Sequence, residues 1–145
     1  MKKIAIVASM FNKDITDKLL AGAYLAWDQK FAHDSNPKTY WVPGAFEIPL
    51  IADKLLENYD AVVALGCVIN GETKHFDYVC KAVTDGCLQV SLAKKKPVVF
   101  GVLTTCDKIQ ALERAGGDKG NKGFDAMLAA IHMLDLLDFD TIRGS

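Results

Sequence analysis

An α/β domain built on an open parallel sheet follows from three observations in this sequence. Four short apolar, β-branched segments recur along the chain, they are almost continuously apolar rather than alternating, and amphipathic helical patterns separate them. Strands buried on both faces of a sheet lose the in-out alternation of a one-sided sheet, and parallel neighbours need a crossover between them, usually a helix.

The first strand is Ile4-Ala5-Ile6-Val7. Ile15, Leu19, Gly22, Ala23, Ala26 and Trp27 then fall at helical spacing and form the stripe of a core-facing helix. A plain polar connection, His33-Asp34-Ser35-Asn36-Pro37-Lys38, leads to the second strand, Thr39-Tyr40-Trp41-Val42. Ile48, Leu50, Ile51, Leu55 and Leu56 make a shorter amphipathic pattern before the third strand, Ala61-Val62-Val63-Ala64-Leu65. A polar turn from Gly66 onward opens a third helix carrying Tyr78, Val79, Ala82, Val83, Cys87, Val90 and Leu92. Lys94-Lys95-Lys96 before Pro97 is stop chemistry, and reads as a solvated helix end rather than a binding patch. The fourth strand, Val98-Val99-Phe100-Gly101-Val102-Leu103, precedes a short helix from Lys108 to Ala115. A terminal helix from about Asn121 to Leu137 presents Phe124, Met127, Leu128, Ile131 and Leu134 on one face, and Arg143-Gly144-Ser145 reads as a frayed or added tail. The order βαβαβαβαα predicts a flavodoxin-like, three-layer αβα sandwich around a four-stranded parallel sheet, with residues 1–145 as one domain.

Composition removes several function classes. Seventeen Lys+Arg against eighteen Asp+Glu give a formal charge of −1, so nucleic-acid binding has no electrostatic footprint and any anion site is local. No apolar run approaches the length of a membrane span, which points to a soluble, cytoplasmic protein. Cys67, Cys80, Cys87 and Cys106 show no metal-ligand spacing, and Cys80 and Cys87, seven apart, suit small buried hydrophobes better than a disulfide. Neither G-x-G-x-x-G nor a P-loop occurs, so dinucleotide and P-loop readings fall away. Cys67 has no base or elbow motif around it, which speaks against a nucleophilic cysteine. His33 lies in a polar loop, and His132 reads as structural.

The segment Gly66 to Val79 reads as strand, polar turn, helix, and such a turn lies where open α/β sheets bind ligands. Gly71, Glu72 and Thr73 offer N–H donors and a hydroxyl at the start of a helix, where a phosphate or carboxylate is favoured, and His75 beside them is a candidate to move protons. Phe11-Asn12 follows the first strand on the same rim. Phe11 either stacks on a flat heterocycle or serves as a hinge hydrophobe. Pro43-Gly44-Ala45-Phe46-Glu47-Ile48-Pro49 follows the second strand, with Glu47 favoured near a helix N-terminus. The glycine-rich stretch between Asp107 and Gly123 reads as a shaped loop in which Arg114 can clamp a phosphate and Lys122 can hold a carbonyl oxygen, unless both are surface charges. Lys119 in the same stretch is expected in solvent.

Five blocks carry a resemblance: Phe11-Asn12 with Ile15-Thr16 and Leu19-Leu20; Val42 to Pro49; Gly66 to Val79; Phe100 to Thr105; and Glu113-Arg114-Ala115-Gly116 with Gly120-Asn121-Lys122-Gly123. In this order they resemble the 6,7-dimethyl-8-ribityllumazine synthases over nearly the whole chain. The resemblance implies condensation of 5-amino-6-(D-ribitylamino)uracil with 3,4-dihydroxy-2-butanone 4-phosphate, releasing phosphate and water, in riboflavin biosynthesis, and it implies no metal or organic cofactor. It implies that Phe11 stacks on the pyrimidine, that Gly44, Ala45, Phe46 and Glu47 with Cys67, Val68 and Ile69 hold the ring and ribityl chain, and that Glu72, Thr73 and Arg114 bind phosphate. His75 would transfer protons. Phe100, Arg114 and Lys122 would come from a neighbouring subunit, so that the site exists only in a homo-oligomer, and Asp125 would orient Arg114 or His75. Asn70 stands where many members carry Arg, and Met1 lies only ten residues before Phe11, which makes a pentamer the expected assembly ahead of a decamer or a sixty-subunit shell. The rival readings are an archaeal-type riboflavin synthase and a non-catalytic flavin- or lumazine-binding relative. A binder has no need of His75 and Arg114 together.

Overall fold

The computed structural model describes residues 2–32 and 34–138, so His33 and the tail at 143–145 lie outside the described residues. The elements are β1 Ile4–Ser9, α1 Lys13–Lys30, β2 Thr39–Val42, α2 Ile48–Leu55, β3 Ala61–Ile69, α3 His75–Lys94, β4 Val98–Thr105, α4 Lys108–Arg114, β5 Ala115–Gly117, β6 Gly120–Asn121 and α5 Lys122–Leu136. A single turn of 3-10 helix, Ala45–Glu47, leads into α2. The main sheet runs β2-β1-β3-β4 with every neighbour parallel, the expected four-stranded arrangement.

Every residue of β1 is buried, as are the first seven of β3. Side chains alternate between two cores. Ile4, Ile6, Ala8, Val63 and Leu65 pack under α1 and α5, while Ala5, Val7, Val62 and Ala64 pack under α2 and α3. Helices on both faces explain why these strands read as unbroken apolar runs.

Several boundaries differ from the sequence reading. The third strand was expected to stop at Leu65 but continues to Ile69, because Gly66, Cys67, Val68 and Ile69 pair in register with Val102, Leu103, Thr104 and Thr105. Gly66 is thus a strand residue. A Cβ there would lie 2.6 Å from the Ser9 Oγ, so packing rather than turning requires the glycine. Helix α3 begins at His75, earlier than the apolar pattern implied, which puts His75 in its first turn. The glycine-rich shaped loop resolves into α4 and an antiparallel hairpin of β5 and β6, with Gly116 and Gly120 at φ 111° and 82°. Of the paired cysteines Cys87 is buried but Cys80 only half so, since α3 buries just Val83 and Cys87. His132 is exposed on α5, off the stripe of Met127, Ala130 and Leu134 that enters the core, and so is not a core histidine.

Ser9 Oγ is buried without a hydrogen-bond partner among the described residues. Gly66→Ala is expected to cost about 1–3 kcal/mol through overpacking, whereas Ser9→Ala should leave stability equal or higher, because an unpaired buried hydroxyl is lost. With the hydroxyl gone, the nearest atoms to an added Cβ are the Cβ of residue 9 at 3.4 Å and Ile48 Cδ1 at 3.7 Å. Gly66→Ala should therefore cost less in the Ser9→Ala background. Urea denaturation of the four proteins measures this coupling, and strictly additive costs would refute it.

Candidate active site

The loops that leave β1, β2 and β3 meet at the C-terminal edge of the sheet and are joined by three hydrogen bonds. Met10 N–H donates to Val42 O at 2.8 Å and Phe11 N–H to Pro43 O at 3.1 Å. The Asn12 side-chain amide donates to Cys67 O at 2.9 Å. Asn12 adopts left-handed backbone angles, φ 58° and ψ 43°, before α1, a conformation that asparagine tolerates better than most residues. The turn that it makes leaves Phe11 72% exposed at the rim.

Glu47 braces the second loop. Its carboxylate accepts the Gly44 N–H at 2.9 Å, and its own N–H donates to Gly44 O at 3.2 Å. The negative charge is used on the turn itself, which holds Phe46 outward, 62% exposed. In the third loop the Thr73 hydroxyl accepts the His75 N–H at 3.3 Å, and His75 opens α3.

Together these loops line a cavity of about 650 Å³. Of the candidate residues, Phe11, Gly44, Ala45, Phe46, Glu47, Cys67, Val68, Ile69, Thr73 and His75 are brought together on its wall. Phe76 and Val79 join them without having been singled out. Their signal was available, since residues at i, i+1 and i+4 from His75 share one helical face. Glu72 is exposed in the same turn but is not on the wall.

Phe100, Arg114 and Lys122 are elsewhere. They line a second cavity of about 530 Å³ along β4, with Thr104, Thr105, Gln110, Lys119 and Asp125. Arg114 ends α4, where its guanidinium donates to Gln110 O at 3.0 Å and lies 4.0 Å from Glu113 Oε1. Lys122 and Asp125 open α5, whose start is fixed by Asn121: its side-chain oxygen accepts from Gly123 N–H at 2.8 Å and Phe124 N–H at 3.0 Å, and its amide donates to Lys18 O. Asp125 is therefore grouped with Arg114, and not with His75 of the same chain. Lys119 is exposed, as expected, and the β5–β6 hairpin also places it on the wall of this cavity. Gln110, whose side chain accepts the Cys106 N–H at 2.8 Å, carried no sequence signal beyond its place in a short helix.

A scan against family models matches residues 1–138 to 6,7-dimethyl-8-ribityllumazine synthase. Curated 6,7-dimethyl-8-ribityllumazine synthases from three strains of Coxiella burnetii are each 50% identical to this chain over 137 residues, covering 93% of it and 91% of the relative. The chain belongs to the 6,7-dimethyl-8-ribityllumazine synthase family.

The family match spans both cavities. Among the described residues no group of three or more His, Cys, Asp or Glu side chains could hold a metal ion. Cys67 is not poised for nucleophilic attack: burial, reinforced by the Asp14 charge, pushes its thiol up to about 11, so it stays protonated at neutral pH.

Burial likewise pushes the Cys87 thiol up to about 11. A thiol that holds its proton more tightly when folded contributes stability below its unfolded value, near 9.0, and that contribution is lost as pH rises through the folded value. Urea midpoints should fall between about pH 9 and 11. In Cys67→Ala/Cys87→Ala the fall should be smaller by about 1 kcal/mol or more. Superimposable pH profiles would contradict this.

Proposed function

We propose that this protein condenses 5-amino-6-(D-ribitylamino)uracil with 3,4-dihydroxy-2-butanone 4-phosphate to form 6,7-dimethyl-8-ribityllumazine, with release of phosphate and water. Family membership supports the reaction. One observation carries the mechanism: the cavity that holds His75 and the aromatic rim is lined by no lysine or arginine, whereas the cavity along β4 is lined by Arg114, Lys119 and Lys122. A reaction that joins a flat heterocycle to a phosphate ester needs both surfaces. The working site then pairs the first cavity of one subunit with the second cavity of its neighbour.

In this reading Phe11 stacks on the pyrimidine, and the Gly44–Glu47 turn with Cys67, Val68 and Ile69 holds the ring and the ribityl chain. The helix start at Thr73, with Glu72 beside it, receives the phosphate, and the neighbour's cations complete its binding. His75 moves protons during imine formation and phosphate loss. Fixing the two substrates against each other supplies most of the acceleration, because positioning is worth more than a single acid–base group.

The assembly we propose is a ring, a pentamer first. Apolar residues support it: Tyr78, Leu88 and Leu92 stand exposed on α3, and Ile109 and Leu136 on the α4 and α5 side. Two different faces of one chain meeting head to tail close a ring when the rotation permits. Free cysteines, among them exposed Cys106, favour a reducing cytoplasm.

Purified protein mixed with both substrates should raise lumazine absorbance and free phosphate together above the uncatalysed background. No acceleration, with lumazine or riboflavin still bound, would replace the enzyme by a binding relative. His75→Ala should slow turnover by about 10²- to 10⁴-fold without abolishing it, and Arg114→Ala should cost more. Equal or reversed ranking in steady-state rates counts against these roles. Subunits of the two impaired variants, unfolded together and reassembled, should regain activity above either variant alone, through sites that draw intact residues from different chains. Failure to complement in verified mixed assemblies would place each site within one subunit.

A further inference from the structure

We infer that Lys119 is a binding residue for the phosphate group of the substrate, an inference that rests on the shared site proposed above. Lys119 is exposed, on a hairpin whose backbone shape is tightly constrained. Gly116 and Gly120 take left-handed φ values of 111° and 82°, which side chains rarely adopt. At Gly117 a Cβ would lie 2.8 Å from both Glu113 Cα and Leu112 O, so only glycine lets the hairpin fold back on the end of α4. The Lys119 N–H donates to Glu113 O at 2.8 Å and secures the fold-back. The result places Lys119 on the wall shared by Arg114 and Lys122.

Charge accounting shows why a third cation is needed there. A phosphate monoester carries close to two negative charges at neutral pH. Arg114 faces it already engaged, one guanidinium nitrogen on Gln110 O and the carboxylate of Glu113 4.0 Å away. Asp125 adds a second negative charge to the neighbourhood. Among the charged residues on the wall, Arg114 and Lys122 against Asp125 leave a net charge of +1, and Lys119 raises it to +2, which matches the ester. Its ammonium acts as a movable point charge beside the rigid guanidinium fork, a combination suited to holding an ester phosphate and then free phosphate as the bond breaks.

The test is steady-state kinetics with inorganic phosphate as competing ligand. Lys119→Ala should raise the KM for the butanone phosphate and the inhibition constant of inorganic phosphate about tenfold each, the loss of one charge-assisted contact. The KM for the ribitylaminouracil should stay within twofold, and Lys119→Arg should restore most of the phosphate binding. Lys54→Ala removes a charge from an exposed position on α2 and should move none of these values. The backbone bond from residue 119 to Glu113 survives the side-chain change, and Lys119→Gln supplies a second neutral variant of similar length. If Lys119→Ala and Lys119→Gln leave both phosphate constants unchanged while Arg114→Ala raises them, Lys119 has no such role and the shared site stands. If none of the three variants moves them in active enzyme, the assignment of phosphate to the second cavity fails, and the inference fails with it.

Discussion

Strand β1 has almost no freedom, and the rest of the molecule is arranged around that restriction. It is paired on both edges, to β2 and β3, and buried on both faces. A strand in that position cannot shift register without moving its neighbours and exposing one of two cores. The chain leaving it at Met10 is consequently delivered to one place, between the ends of β2 and β3. Phe11 and Asn12 then bond to both of those ends through Pro43 O and Cys67 O. The cavity wall is thus an extension of the ladder, and an exposed phenylalanine can stand at its rim because the backbone beneath it is fixed.

Close packing performs the corresponding task on the other side. Helices α1 and α5 touch so tightly that a side chain on Gly22 would occupy the Asn121 amide, and one on Gly123 would enter the Leu19 carbonyl. Asn121 caps α5 and also donates to Lys18 O at 3.0 Å, tying the start of α5 to α1. Lys122 and Asp125 follow directly from that junction. A second tie runs from Asp14 to Lys108 at 2.7 Å, where the ammonium holds the Asp14 carboxyl below its usual range. Exposed pairs of this kind contribute little stability. Their geometric effect is to join the first turn of α1, beside Phe11, to the first turn of α4, which ends at Arg114.

What sequence could reveal divides along the same physical line. Apolar runs and helical stripes report burial, and burial defines the four long strands and their helices, so those elements and their order were legible. The loop residues on the first rim were legible because strand ends of an open α/β sheet converge. Gly66 misled because a glycine in a chain pattern signals a turn, while its actual reason is the Ser9 hydroxyl across the sheet, a contact between residues far apart in sequence. Lys119 was legible only in part. A lysine among glycines reads as a loop tip in water, which it is, while its place on the second cavity's wall depends on the fold-back of the β5–β6 hairpin onto α4. Glu47 was placed on the right loop for a partial reason: its carboxylate is held by the Gly44 N–H, which no composition argument specifies.

The division of the polar groups between two cavities has a physical logic of its own under the proposed mechanism. Three cations gathered on the aromatic cavity wall of one chain would repel one another and each lose hydration before any anion is bound. Keeping them on α4, α5 and the hairpin lets each subunit fold with those charges in water, beside Asp125 and Glu113. The cations meet the aromatic cavity only where a neighbour's surface also excludes solvent from it, and there their attraction for phosphate is strongest. Assembly and activity are then one equilibrium: whatever dissociates the subunits removes the phosphate clamp while leaving each fold, and its heterocycle pocket, intact.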